Sequence, residues 1–102
     1  MTEPDWFRQD LEDLTCSYKT KERRKAFTNA VKETRTWIKQ HPKLGNSKYS
    51  EELGIPGLRH KALLDKSFNI LFFYIITPSN KILASRLLVG DGDTMRKLSI
   101  LK

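Results

Sequence analysis

The chain has 102 residues and a formal net charge of +7, from 19 Lys and Arg against 12 Asp and Glu, with 38% apolar and 10% aromatic residues. That is the size of one domain and apolar material for one modest core, which excludes a multidomain architecture and a wholly disordered chain. No apolar run approaches the roughly 20 residues of a membrane-spanning helix, the acidic opening MTEPDWFRQD has no signal-peptide core, and lone Cys16 beside two His excludes an internal disulfide or a structural zinc set. These features predict a small, basic, soluble domain of a reducing, cytoplasmic compartment. The charge is uneven: −4 over residues 1–18, +8 over 19–48 and +3 over 49–102. A basic middle beside an acidic end predicts a surface for a polyanion or an acidic partner; a well-solvated helix face is the plainer account.

In chain order, residues 3–18 read as an amphipathic helix, with Phe7, Leu11, Leu14 and Tyr18 at helical spacing. Thr2 is its expected cap, and Pro4 is tolerated in the first turn. Thr20 is the expected cap of a second helix, 20–41, whose apolar stripe is Phe27, Ala30, Val31, Thr34, Trp37 and Ile38. Pro42 stops it, because the residue before a proline avoids helical dihedrals. Two such helices with almost no linker predict an antiparallel hairpin, with Trp6 and Trp37 packed in its interface and Cys16 a small packing residue.

Residues 42–57, rich in Gly, Pro, Ser and Asn, read as a loop with at most a short turn at Glu51–Leu53. The period then changes to that of strands. Strands are expected at Gly57–Leu64, Ser67–Thr77 and Ile82–Val89, joined by turns at 65–66 and 78–81. The run SFNILFFYIIT is apolar on both faces and belongs at the centre of the sheet. The fold class is therefore α+β: one domain with a helix hairpin (3–41) packed on a small antiparallel three-stranded sheet (57–89). Gly90–Asp93 ends the sheet as a turn, since two carboxylates are too few for a metal cage. The tail 94–102 has Met95, Leu98 and Leu101 at helical spacing and stays undecided.

Several segments, in this order, resemble the RelE/ParE superfamily of toxins. Asp10-Leu11-Glu12-Asp13-Leu14 is similar to the "DL..L" of that family's first helix. Ala26-Phe27 through Trp37-Ile38 and His41-Pro42 is similar to its second. Pro56-Gly57-Leu58-Arg59 matches the "LR" strand start, and Phe68-Asn69-Ile70-Leu71-Phe72-Phe73-Tyr74 the "YRIxY" central strand. Ile82 through Gly90, followed by Asp93, is similar to the final strand and its "R-V-x-H-G-x-x-D" ending. Two departures stand out. The family opens with a strand before the first helix, which is missing or vestigial here, and Asn69 stands where "YRI" carries arginine.

The resemblance implies the toxin component of a type II toxin–antitoxin module, a growth inhibitor neutralised by an acidic antitoxin. It also implies a target of either DNA gyrase (the ParE branch) or ribosome-bound mRNA (the RelE branch), with no cofactor, metal or membrane. A sheet edge left open by the missing strand would suit an antitoxin segment. RNA cleavage through the 2′-OH needs an acid, a base and cations at the phosphate. Arg59, Lys61 and Arg86 are the candidate cations, with Lys48 added for target or nucleic-acid binding. Arg59 and Lys61 share a face by the period of two, while the face of Arg86 depends on register. An equal reading of Arg59 and Arg86 is ion pairing with Glu51, Glu52, Asp65, Asp91 or Asp93. His60 alternates to the face opposite Arg59, His41 ends a helix, and the family's C-terminal Tyr or His is lacking after Tyr74. The enzyme question leans towards no catalysis, which favours the ParE branch over the endoribonuclease. A non-toxic nucleic-acid-binding or adaptor domain of the same fold is the remaining alternative.

Overall fold

The computed structural model describes residues 1–90, so the expected Asp91–Asp93 turn and the 94–102 tail lie outside the described residues. Helices α1 (Asp5–Ser17) and α2 (Lys21–Gln40) come first, then a 3-10 turn at Pro42–Leu44 and a short helix α3 (Lys48–Leu53). Strands β1 (Leu58–Ala62), β2 (Ile70–Ile76) and β3 (Ile82–Val89) follow. The sheet order is β1-β2-β3, antiparallel throughout, with the most apolar strand at the centre. The α+β class and central β2 are as the sequence predicts.

Thr2 does not cap α1. The cap position is Pro4, extended and without a side-chain capping bond. Glu3, preceding a proline, is steered away from the helical region, so the chain stays extended ahead of Pro4. Thr2 uses that extension to form a single parallel bridge to β3, donating to the Ile82 carbonyl (3.1 Å) and accepting from the Ala84 N–H (2.8 Å). The chain ahead of α1 thus pairs with β3 through a single residue. The cap of α2 is as expected, with Thr20 Oγ1 accepting from the Arg23 N–H at 3.1 Å.

The sheet is covered on both faces. Ile70, Phe72 and Tyr74 of β2 pack with Phe7 of α1 and with Phe27, Ala30, Val31 and Ile38 of α2. On the other face Phe73 packs with Leu58, Leu88 and Leu53, flanked by Tyr49 and Ile55. This second cluster corrects the reading of 42–57 as mostly loop. Tyr49 and Leu53, four apart, give α3 an apolar side, and Gly54 closes it at φ +63°. Strands β1 and β2 are shorter than expected because 63–69 form a wider turn. There Asp65 accepts from the Ser67 N–H and hydroxyl, and Phe68 drops into the core beneath the Arg23 guanidinium, 3.8 Å above its ring. Two hairpin expectations also fail. Trp6 is 53% exposed and Cys16 is exposed, since both lie off the stripe of Phe7, Leu11 and Leu14.

Two polar anchors join the layers. Asp10 of α1 receives both Nε and Nη2 of Arg86 (2.5 and 2.9 Å) and the Leu87 N–H (3.1 Å) beside an irregularity in the β2–β3 register. Buried Tyr74 donates to the Pro42 carbonyl at 2.7 Å, with Gly45 packed so close that a Cβ there would lie 2.1 Å from the Tyr74 oxygen. Asp10→Ala is expected to lower stability by about 2–3 kcal/mol in urea titration, the scale of lost hydrogen bonds to charged groups. Exposed Asp13→Ala should leave the midpoint almost unchanged. Gly45→Ala should cost about 1–3 kcal/mol through overpacking against Tyr74, and the cost should shrink in a Tyr74→Phe background.

Candidate functional site

The register with β2 divides the candidate cations between rows. Arg59 stands opposite Tyr74 and Lys61 opposite Phe72, so both lie on the side of the sheet covered by α1 and α2. Arg86 stands opposite Phe73, in the other row. The structure does not add it to the Arg59–Lys61 pair, and among the described residues its partner is Asp10 rather than Glu51, Glu52 or Asp65, while Asp91 and Asp93 lie outside the described residues. Hydrogen bonding to the Asp10 carboxylate raises the Arg86 pKa further, against a smaller opposing effect of burial. Arg86 is a structural residue of the β3 edge.

Lys61 lines a shallow cleft at the outer edge of β1, and Arg59 is tied to its Gly45 wall. The Arg59 Nη1 donates to the Gly45 carbonyl at 2.8 Å, which ties β1 to the segment after the 3-10 turn. The Lys61 ammonium sits 4.7 Å from the centroid of the Trp37 ring, on the last turns of α2. Trp37, Leu44, Asn46, His60, Lys61 and Leu71 are among the walls of the cleft, whose volume is about 300 Å³. Lys48, at the start of α3, places its ammonium 5.5 Å from the Tyr49 centroid. Its N–H is held by Asn46 Oδ1 at 2.8 Å. Trp37 and Leu44 were absent from the sequence-level candidates. Trp37 reads there as core, and nothing at sequence level marks Leu44, which is 70% exposed. A wider open depression on the outer face of α2, bounded by Asn29, Lys32, Glu33 and Thr36, carries one charge of each sign.

His60 lies on the α3 side, its ring 5.4 Å from Tyr49 and 5.2 Å from Phe73. Its Nδ1 is buried without a hydrogen-bond partner. Burial, and then the Lys48 charge, hold its pKa below the ordinary imidazole value. The neutral ring packs on the α3 face, although His60 also lines the cleft beside Lys61. Burial likewise raises the Tyr74 pKa, and its hydroxyl is committed to Pro42. Among the described residues no group of three or more His, Cys, Asp or Glu side chains is placed to hold a metal ion. No helix there is long and apolar enough to cross a membrane. The arrangement supplies positive charge, an exposed leucine and a tryptophan at a strand edge.

The depressed His60 pKa makes stability pH-dependent in a definite sense. The unfolded imidazole titrates near about 6.5 and the folded one lower, so the unfolded chain binds more protons between those values. The neutral-ring stability is present above about pH 6.5, is lost as pH falls through the folded pKa, and then levels off. Urea midpoints of the parent and His60→Leu, compared from about pH 7.5 to 4.5, should diverge in favour of the variant as pH falls. A pH-independent difference would show that the imidazole titrates alike in both states.

No protein-family model, curated protein or solved structure significantly matches the chain.

Proposed function

We propose that the chain is the toxin component of a type II toxin–antitoxin module of the RelE/ParE kind. It is held inactive in the cytoplasm by an acidic antitoxin and acts by binding a target such as DNA gyrase. The observation that carries this reading is the element order: a helix hairpin, a proline-led loop, then a three-stranded antiparallel sheet, with Thr2 bridging β3 as the remnant of an opening strand. The net charge of +7 supports an acidic partner.

The disposition of the side chains supports binding over RNA cleavage. Arg59 and Lys61 form a two-cation row, Arg86 is held by Asp10, and the His60 ring is packed against Tyr49 and Phe73. A phosphate site without its proton-transfer group forgoes a factor of roughly 10²–10⁴ in rate.

Inducible expression of the chain alone should arrest growth with a DNA-damage response and without codon-positioned mRNA cuts. Arg59→Ala should weaken target binding in a folded protein, whereas Arg86→Ala should act through stability, as Asp10→Ala does. Ribosome-programmed cleavage abolished by Arg59→Ala would establish the endoribonuclease instead. Normal growth at high expression would favour the non-toxic adaptor.

A further inference from the structure

The outer edge of β1 is closed along part of its length and open at one residue. Pairing with β2 turns the main-chain groups of Leu58, His60 and Ala62 away from the sheet. The Leu58 N–H is taken by the Ile55 carbonyl at 3.3 Å, and His60 exchanges two bonds of 2.9 Å with Asn46. Continued antiparallel, that pairing would set Leu44 opposite Ala62. Instead Pro42–Leu44 form a 3-10 turn in which the Leu44 N–H bonds the His41 carbonyl at 3.1 Å. The Ala62 N–H and C=O have no hydrogen-bond partner among the described residues. Two residues on, the Leu64 N–H is already taken by Thr34 Oγ1 at 3.1 Å.

The unpaired Ala62 main chain opens into the cleft of about 300 Å³, between Trp37 and Leu44 on one side and Leu71 on the other. Lys61 stands next to it, exposed Lys43 and Lys48 flank the Leu44–Asn46 wall, and no carboxylate among the described residues lines the cleft. We infer that this cleft takes an extended acidic peptide segment of a partner protein, which pairs with the Ala62 main chain in the place that Leu44 leaves open. An added strand gains main-chain bonds at the edge and presents alternate side chains to the two walls. Here the Trp37 wall also carries Lys61, its ammonium 4.7 Å from the ring centroid, and the opposite wall carries Leu71, so acidic residues should face the first and apolar residues the second, in alternation. A single-stranded RNA fits less well: it has no peptide N–H and C=O to match Ala62, and the Lys61 ammonium is already placed on the Trp37 ring. The inference rests on the acidic partner of the reading above and gives it a docking place. The test does not involve toxicity, so either can fail alone.

The test titrates the ¹⁵N-labelled full chain with a short synthetic peptide alternating glutamate and valine. A lysine-for-glutamate version and a short oligouridylate serve as competing arms. The acidic peptide should shift the Ala62 amide and Trp37 indole resonances and slow Ala62 amide exchange. Lys61→Gln should weaken binding roughly two- to fivefold, the scale of one exposed ion pair. Ala62→Pro should abolish it, because that N–H lies off the β2 ladder and proline is tolerated at such an edge position. Lys61→Gln keeps the question answerable if the proline variant does not fold. Any one of four results overturns the inference: equal binding of the lysine peptide, preference for the oligouridylate, shifts centred on the outer face of α2, or no change at Ala62 with millimolar acidic peptide.

Discussion

The Asp10 carboxylate is the interaction on which the arrangement of layers depends. It neutralises Arg86 and accepts the Leu87 N–H, so one side chain of α1 satisfies both a charge and a backbone donor of β3. Phe7 lies three residues earlier on the same helix, its ring 5.0 Å from Phe72 at the centre of the sheet. The apolar contact supplies the burial, while the carboxylate fixes where along β3 the helix sits. A sheet edge ordinarily presents a row of unpaired groups that invites association. On β3, Thr2 occupies Ile82 and Ala84, and Asp10 occupies Leu87. The edge that the missing strand was expected to leave open is closed by a bridge and a side chain.

Periodicity made the helices and β2 legible. The Phe27–Ile38 stripe, the Thr20 cap and Pro42 locate α2 almost to the residue, because each acts within one or two turns of chain. The run through Ile70–Ile76 is apolar on both faces for the reason read from sequence: it is covered by the helices on one side and by Leu53, Leu58 and Leu88 on the other. Helix α3 was half legible. Its six residues are too few for a periodic signal, and only its contact with the sheet makes Tyr49 and Leu53 a face.

The candidate site was less legible because lysines and arginines look alike in a sequence until their partners are known. Asp10 and Arg86 are 76 residues apart, and Arg59 is 14 from Gly45. Nothing local distinguishes the arginine that anchors α1 to β3 from the one that ties β1 to Gly45. His60 was correctly set opposite Arg59 by the period of two. Its burial against Tyr49 depends on α3 and could not be inferred from strand alternation alone.

Two prolines account for the difference between the edges of the sheet. Pro4 keeps the residues before it extended, and Thr2 is thereby free to pair with β3. Pro42 does the opposite: it starts a 3-10 turn that carries Leu44 away from β1 just where pairing through Asn46 would have continued. That turn cannot relax onto Ala62 at little cost, because the Pro42 carbonyl accepts the hydroxyl of fully buried Tyr74 and Gly45 is packed against the same ring. Unwinding it would strand a buried hydroxyl, a loss of about 1–3 kcal/mol, in exchange for two main-chain bonds whose net gain over bonding to water is of about the same size. The Tyr74 anchor thus holds the β1 edge open, and the cleft is a consequence of how the core closes.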